Sequence, residues 1–292
     1  MAIKKKKIKI HLLLILYLGI GCSNGNNFLY TIVYKRDSSN VNFEKGKENW
    51  EKRAYKNNIY ESLKYLTKAI KENGENLERS KLMSQACHFT AEYIENDETK
   101  SDSLYLLGKD IAWSFLAKTD SYIEGFNKFT GDLAGKKIAG IDNISENDIE
   151  ILFWWVKNYV SFIANKPVTK RLSAREEIET ALYKVLSQKP DFYFGGCHQI
   201  FGILYARLPG VELNKSISQF ETAIAKGPDF FGNYVARAKY LYPRVNDKLS
   251  FEKDINYILS LDPSAVPEIA PENLMEQEIA KKLLQKSSSL FK

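Results

Sequence analysis

The sequence predicts an all-α protein in which repeated pairs of helices pack as an α-solenoid, with extra helices. Apolar residues recur three and four positions apart, a spacing that places them on one face of a helix. No alternating pattern of useful length predicts a β-strand. Three of the helical patterns end at a proline, at Pro190, Pro228 and Pro263. The 38 and 35 residues between these prolines indicate a repeat.

The repeated unit is an apolar stripe placed eight, five and four residues before each proline. Its members are Leu182, Val185 and Leu186, then Phe220, Ala223 and Ile224, then Ile255, Ile258 and Leu259. A weaker copy precedes Gly74, with Leu66, Ala69 and Ile70. The period lies near the roughly 34 residues of tetratricopeptide repeats. The alternative is an ordinary helical domain whose helices happen to end at proline.

The rest of the chain continues the helical spacing. In order, the helical patterns cover residues 43–70, 82–93, 104–115 and 122–129. Residues 131–142 are the least periodic part of the chain after its N-terminal segment. Ser145 with Asp148, and Ser173 with Glu176, have the spacing of capping boxes and predict two helix starts. We therefore expect a single helical domain over residues 43–292.

The first residues have the features of a lipoprotein export signal. Five lysines precede residue 10, an apolar stretch follows, and small residues lead to Cys22. The stretch is too short for a membrane span, which needs about 20 apolar residues. We expect a signal peptide at residues 1–21, a lipid on the Cys22 thiol and a flexible tether over residues 22–42. A simple secreted protein and an uncleaved anchor are the alternatives.

Removal of this segment changes the charge of the chain. Five of the 42 Lys and Arg residues and none of the 36 acidic residues precede Cys22, which leaves 37 basic against 36 acidic residues. The mature chain is then nearly neutral. No basic stripe remains that would indicate a nucleic-acid partner.

The remaining cysteines and histidines indicate neither a metal site nor a cofactor. Cys87, Cys197, His88 and His198 lack the spacing of a zinc shell. An exported chain can form disulfides, so a pair is possible, but we expect two buried, unpaired thiols.

The most aromatic stretch of the chain spans residues 149–163 and includes Trp154 and Trp155. Its apolar residues cover nearly the whole circumference of a helix. Such a helix is either buried on several sides or lines an apolar cavity. We expect a central core helix and take Trp154 and Trp155 as candidate ligand-lining residues.

A second candidate segment follows Pro190. It contains Tyr193, Phe194, Gly195, Gly196 and His198. Paired glycines permit close backbone approach or unusual dihedral angles. We take Tyr193, Phe194 and His198 as ligand-lining candidates, although a lone histidine is more often structural than catalytic.

Further along the chain, we predict a structural role for Gly202 and Tyr205. Gly202 and Tyr205 have the spacing that lets the partner helix of a tetratricopeptide hairpin pack closely. No nucleophile with a nearby base can be identified from spacing. We therefore predict no catalytic residue and no enzyme.

Several segments together resemble the T components of tetratricopeptide-repeat-associated TRAP transporters (TatT). They are residues 154–190, 192–198, 208–210, 223–228, 262–263 and 279–291. Cys197 departs from the pattern, in which proline is favoured. The resemblance implies a lipid-anchored periplasmic protein that forms a homotrimer with a substrate-binding P component. It also implies a channel through each protomer for apolar or amphipathic ligands.

Two functions from different classes follow. The leading hypothesis is a bacterial periplasmic accessory subunit of a TRAP-type solute transporter, anchored by lipid to the inner or outer membrane. The alternative is a scaffold lipoprotein whose repeats hold peptide or cell-envelope partners. Binding rather than chemistry is the expected activity in both cases.

Overall fold

A computed structural model describes residues 40–291 as helices and short turns, without a β-strand in that range. The all-α prediction is therefore confirmed for these residues. In chain order the helices are α1 Val41–Trp50, α2 Lys56–Asn73, α3 Leu77–Phe89, α4 Glu98–Leu116, α5 Asp120–Lys128, α6 Leu133–Asp142, α7 Ile149–Ile163, α8 Val168–Ser173, α9 Arg175–Gln188, α10 Phe192–Arg207, α11 Leu213–Lys226, α12 Phe231–Tyr240, α13 Tyr242–Val245, α14 Lys248–Leu259, α15 Ala270–Gln285 and α16 Ser287–Leu290. The predicted signal peptide, Cys22 and the tether up to residue 39 lie outside the described residues.

The repeated apolar stripe lies on α2, α9, α11 and α14. In each helix the residues eight and five positions before the proline or Gly74 are completely buried, and the residue four positions before it is partly buried. The completely buried residues are Leu66, Ala69, Leu182, Val185, Phe220, Ala223, Ile255 and Ile258. The predicted helices and their buried faces are thus confirmed. Their arrangement as a tetratricopeptide-like solenoid stays a prediction.

Two helical hairpins share one packing device. In α1–α2 the hydroxyl of Ser62 donates to the Gly46 carbonyl at 2.8 Å, and Gly46 lies against Leu66. In α10–α11 Ser216 donates to the Gly202 carbonyl at 2.8 Å. A Cβ on Gly202 would lie 2.9 Å from the Phe220 ring. Glycine therefore sets the separation of the two helices in both hairpins.

Helix α7 is the central element of the fold. It packs against α3, α4, α9 and α10, and its buried residues point in all directions. Trp155 packs against Trp113 with ring centroids 5.1 Å apart. On another side, Asn158 donates to the Ser84 carbonyl at 3.1 Å. The prediction of a central core helix is confirmed.

Local structure differs from the sequence expectation at three helix starts. The Ser145 hydroxyl donates to the Asp148 carboxylate at 2.8 Å, and a short 3₁₀ turn precedes α7, so the expected capping box is absent. The Ser173 hydroxyl donates back to the Lys170 carbonyl, and α9 begins at Arg175. Most of the weakly periodic segment 131–142 forms α6, which the Asp132 carboxylate caps by accepting from the Gly135 N–H at 2.8 Å.

Candidate functional site

A cavity opens beside one stripe of α7 in the interior of the helical domain. The space inside it that a water-sized molecule can occupy is about 60 Å³. This side of the wall consists of Lys157, Val160 and Ser161 of α7 and of Ala164, the residue directly after the helix. Their spacing of three, four and seven residues places them on one helical face. Helix α7 is therefore both a core helix and a cavity wall.

The other walls come from distant parts of the sequence. α10 contributes Gln199, Ile200 and Ile203, while α12 contributes Val235, Ala236 and Lys239 among others. Glu276 and Ile279 project from α15. One part of the wall is consequently aliphatic, and another part carries charged and amide groups.

Two further pockets adjoin the cavity and share lining residues with it. The inner one is bounded by Trp50, Trp154, Tyr193 and Glu272, and it shares His88, Tyr93 and Lys157. The outer one shares Glu92, Ser161, Lys239 and Tyr240 and reaches exposed Asn96 and Asn165. The three pockets form a series from the aromatic interior to the surface.

A π-helical turn at Thr90–Ile94 follows α3 and shapes one wall. Within it the Glu95 N–H donates to the Thr90 carbonyl, five residues back, at 3.0 Å. Such turns frequently occur at functional sites. Here the turn places Glu92 and Tyr93 in the wall of the cavity.

A left-handed turn shapes the opposite wall at the start of α10. Tyr193, Phe194 and Gly195 have φ values of 50°, 55° and 75°. Left-handed backbone costs roughly 1–2 kcal/mol for a non-glycine residue, so surrounding contacts must hold it. The buried Asn233 side chain does so, since its Nδ2 donates to the carbonyls of Phe194, Ala223 and Gly227 at 2.9–3.0 Å.

The left-handed turn places the Tyr193 ring at the inner end of the cavity. Its centroid lies 4.9 Å from that of Trp154 and 5.5 Å from that of Phe230. The Lys157 ammonium lies 4.8 Å from the Tyr193 centroid. The strained backbone thus builds an aromatic surface around a buried cation.

Most charged groups at the cavity are paired. Glu92 accepts from the Tyr105 hydroxyl at 2.5 Å and lies 3.8 Å from the Lys239 ammonium. Burial raises the pKa of the Glu92 carboxyl, but Lys239 and the Tyr105 hydrogen bond outweigh this effect, and the pKa is lowered overall. At the inner end, Arg53 donates two hydrogen bonds of 2.8 Å to Glu272.

Among the described Lys, Glu and His side chains of the cavity wall, three lack a partner of opposite charge within 4 Å. Burial lowers the pKa of Lys157 to about 8, and its nearest acceptor is Gln199 Oε1 at 3.4 Å. Burial raises the pKa of Glu276 to about 7, although the Tyr93 hydroxyl donates to it at 2.7 Å. Burial also lowers the pKa of His88 to about 3, which keeps its imidazole neutral at pH 7.

The structure brings together two of the five predicted ligand-lining residues, Trp154 and Tyr193. Trp155 points away from the cavity toward Trp113 and Tyr159, because successive helical residues face different directions. Phe194 packs on Phe230, and its carbonyl is bound by Asn233.

The remaining predicted residues occupy positions in the α10–α11 hairpin. His198 Nδ1 lies 2.8 Å from Gln219 Oε1, a contact that links the two helices outside the cavity. Gly195 lies against the Ala223 carbonyl, and Gly196 lies against Phe153. Gly202 faces Phe220, and Tyr205 is buried beside Phe201.

Sequence reasoning missed Lys157, Gln199, Glu92 and Glu276 as site residues. One signal was present for Lys157, because it interrupts the most apolar helix of the chain. The other three come from separate helices whose proximity the sequence pattern does not reveal.

The described residues contain no cluster suited to a metal ion, and both of their cysteines are buried. No group of three His, Cys, Asp or Glu side chains within residues 40–291 is placed to hold a metal ion. Cys87 and Cys197 are buried and unpaired, as expected, and burial raises the pKa of both thiols to about 12. No helix in this range is both long and apolar enough to cross a bilayer.

The fold and the cavity define a helical protein with an internal site whose wall is partly apolar and partly charged. A family model described as TRAP transporter T-component matches residues 65–291. The chain therefore belongs to the TRAP transporter T-component family, as the sequence resemblance predicted. Its role is that of an accessory component of such a transporter. A comparison with curated proteins gave no match.

Proposed function

We propose that this chain is a lipid-anchored periplasmic subunit that binds a small apolar or amphipathic ligand and acts with a substrate-binding P component. The observation that carries the proposal is the central cavity, where the aliphatic wall formed by Val160, Ile203 and Val235 faces a few polar groups. Sites of this composition are typical of small-molecule binding. The helical-repeat arrangement and the homotrimer are further parts of the proposal.

The partnership is tested by capture of a candidate substrate-binding P component from the same organism. The bait is the tagged mature chain with Cys22→Ser, a substitution that removes the expected lipid so that no detergent is needed. With both proteins at micromolar concentration, we expect the bait to retain the P component. The same bait also reports its own oligomeric state by light scattering. Repeated absence of the P component from the eluate, with a folded bait, would contradict the partnership.

The lipid anchor is tested at Cys22 in cells. Cys22→Ser is expected to abolish incorporation of radiolabelled palmitate and to move the protein from the membrane to the soluble fraction. Cys87→Ser is the matched control, because that thiol is buried in the helical domain. Labelling that persists in Cys22→Ser would contradict anchoring at this residue.

Ligand binding is tested with two adjacent tryptophans of α7. Trp154 lines the inner pocket, whereas Trp155 packs against Trp113. We expect Trp154→Phe or Tyr193→Ala to weaken binding of an apolar fluorescent probe several-fold, while Trp155→Phe leaves it unchanged. Equal affinities in all variants would show that these rings pack in the core and do not contact the ligand.

A further inference from the structure

Four basic side chains around α8 lack a carboxylate within 4 Å among residues 40–291. We refer to them as the α8 patch; its members are Lys170, Arg171, Arg207 and Arg244. Lys170 and Arg244 are exposed, while Arg171 and Arg207 are half-buried. A group of unpaired like charges attracts an anionic partner.

Two of these cations are held side by side. The guanidinium groups of Arg171 and Arg207 both donate to the carbonyl oxygen of Ala164, directly after α7, the first of them at 3.3 Å. Burial lowers the pKa of Arg207, Tyr240 opposes this effect, and the like charges of Arg171 and Arg244 lower the pKa further. The negative end of the α7 dipole, about half an elementary charge, compensates only part of this positive charge.

Arg171 and Arg207 keep hydrogen-bond donors that the protein does not use. Each guanidinium has five N–H groups, and the Nε atom of each is buried without a partner. The acceptor that they share is the Ala164 carbonyl, and Arg207 also reaches Asn165 Oδ1 at 3.5 Å. Because both side chains are only half-buried, Nη donors remain for phosphate oxygens, which guanidinium groups bind well.

Two exposed aliphatic side chains adjoin the patch. Val168 and Leu172 of α8 are 41% and 45% exposed. Arg171 and Leu172 follow Val168 by three and four residues, so the three side chains share one face of the helix. Lys166, which precedes α8, is paired with Asp102 and adds no net charge. Basic groups around exposed aliphatic side chains are typical of helices that lie in the interface of a bilayer.

A bilayer is within reach of this surface in the proposed lipid-anchored protein. The 18 residues between Cys22 and Val41 can span at most about 60 Å. This length exceeds the diameter of roughly 45 Å that is expected of a globular domain of this size. The membrane is therefore an anionic partner that the anchor keeps close to the patch.

We propose that the α8 patch docks on the anionic phospholipid surface of the membrane, with its four cations at the phosphate groups and with Val168 and Leu172 at the start of the acyl chains. The choice of a bilayer as partner rests on the proposed lipid anchor. The contact adds a second attachment to the membrane and fixes which side of the helical domain faces it.

The first test measures binding of the mature Cys22→Ser chain to vesicles by co-sedimentation, because a lipid on Cys22 would attach the chain to every bilayer. Vesicles of phosphatidylglycerol and phosphatidylcholine in equal parts should bind at least 10-fold more tightly than phosphatidylcholine alone, since anionic lipid contributes roughly 5-fold per basic residue. Salt at about 0.5 M should abolish the difference. Equal binding to both vesicles, or binding to neither, would overturn the proposal.

The second test removes the two exposed charges of the patch. Lys170→Gln with Arg244→Gln leaves the contacts at Ala164 intact and should weaken binding to the anionic vesicles at least 10-fold. The matched control is Lys68→Gln with Lys71→Gln, two exposed residues of α2, which removes the same charge and should leave binding unchanged. An equal loss in both pairs, or a loss in neither, would contradict docking through the α8 patch.

The third test changes an aliphatic side chain. Leu172→Ser should weaken binding to the anionic vesicles several-fold, because less apolar surface leaves water. Leu274→Ser on α15, where the leucine is 43% exposed, is the matched control and should have no effect. Equal affinities of the two variants would show that α8 does not enter the bilayer and would overturn this part of the proposal.

Two competitors distinguish a membrane from other anionic partners. Inorganic phosphate and poly-glutamate should displace the chain from anionic vesicles no better than sodium chloride of the same ionic strength. Stronger displacement by phosphate would indicate a site for a free anion, and stronger displacement by poly-glutamate would indicate an acidic protein partner. Either result would overturn docking on a membrane.

The outcomes distinguish this inference from the proposed function. Labelling of Cys22 and capture of the P component are measured without vesicles, so a failure of vesicle binding contradicts the docking surface alone. Loss of the anchor with intact, selective vesicle binding would contradict the proposed lipidation and support the docking surface.

Discussion

At the residue scale, Asn233 shows how one side chain supports an unfavourable backbone. Its amide donates to three carbonyls, and its own oxygen accepts from Gln199 Nε2 at 3.2 Å. Gln199 is also the nearest acceptor for Lys157. The left-handed turn and the polar end of the cavity are therefore held by the same hydrogen-bond network.

We expect Asn233→Ala to lower the free energy of unfolding by about 2–4 kcal/mol, because buried carbonyls lose their donor. Urea denaturation followed by circular dichroism measures the change. Asn256→Ala on the exposed side of α14 is the matched control and should have little effect. A similar, small change in both variants would show that Asn233 does not hold the turn.

Glu276 should make stability depend on pH. Its pKa rises from an ordinary value of 4.5 to about 7 in the folded chain, through burial and the nearby charge of Glu92, opposed by the Tyr93 hydrogen bond, Lys239 and Lys157. The folded state thus binds the proton more tightly. Its contribution to stability is complete below about pH 4.5 and is lost as the pH rises through 7.

Glu276→Gln should therefore reduce the fall in stability between pH 5 and 7.5. The denaturation midpoint, measured across this range, checks the prediction. Glu278→Gln, on the exposed face of the same helix, should retain the pH dependence of the unaltered chain. Identical pH profiles for all three proteins would rule out a raised pKa at Glu276.

At the element scale, glycines fix the separation of paired helices. Gly46 and Gly202 occupy equivalent places in the α1–α2 and α10–α11 hairpins. Gly46 contacts Leu66 and Gly202 contacts Phe220, which are the first members of their apolar stripes. The apolar stripe was predictable because burial follows the helical period. The glycine contact depends on which helices meet, so only one of the two was singled out from the sequence.

Gly202→Ala should destabilise the protein by about 1–3 kcal/mol, since its methyl group would overlap the Phe220 ring. Phe220→Leu removes the ring atoms at this contact, so the double variant should recover part of the stability lost in Gly202→Ala. Urea denaturation of the single and double variants gives the coupling energy between the two positions. Strictly additive effects of the two substitutions would contradict direct contact.

At the scale of the whole molecule, a buried ion pair joins regions far apart in the chain. Arg53, in the turn after α1, binds Glu272 of α15 through two hydrogen bonds and donates to the Glu268 carbonyl at 2.7 Å. Its guanidinium also lies 4.6 Å from the centroid of the Trp50 ring. These contacts close the inner end of the cavity with residues from both ends of the described chain.

Arg53→Met should cost about 3–5 kcal/mol of stability, because Glu272 would remain as a buried, unpaired charge. The double variant Arg53→Met with Glu272→Met should recover much of this loss, as apolar replacements of buried ion pairs often do. Thermal and urea unfolding of the three variants measures both effects. A double variant less stable than Arg53→Met would contradict this account.

The sequence by itself determined the helical class, the buried stripes, the central position of α7 and the family, because these depend on local periodicity and ordered motifs. It also indicated Trp154 and Tyr193. Only the tertiary structure decided which side of α7 faces the cavity, how the π-turn presents Glu92, and how Asn233 fixes Tyr193. The physical reason is that a cavity exists between elements, so its electrostatics depend on groups that are distant in sequence and meet only when the chain is folded.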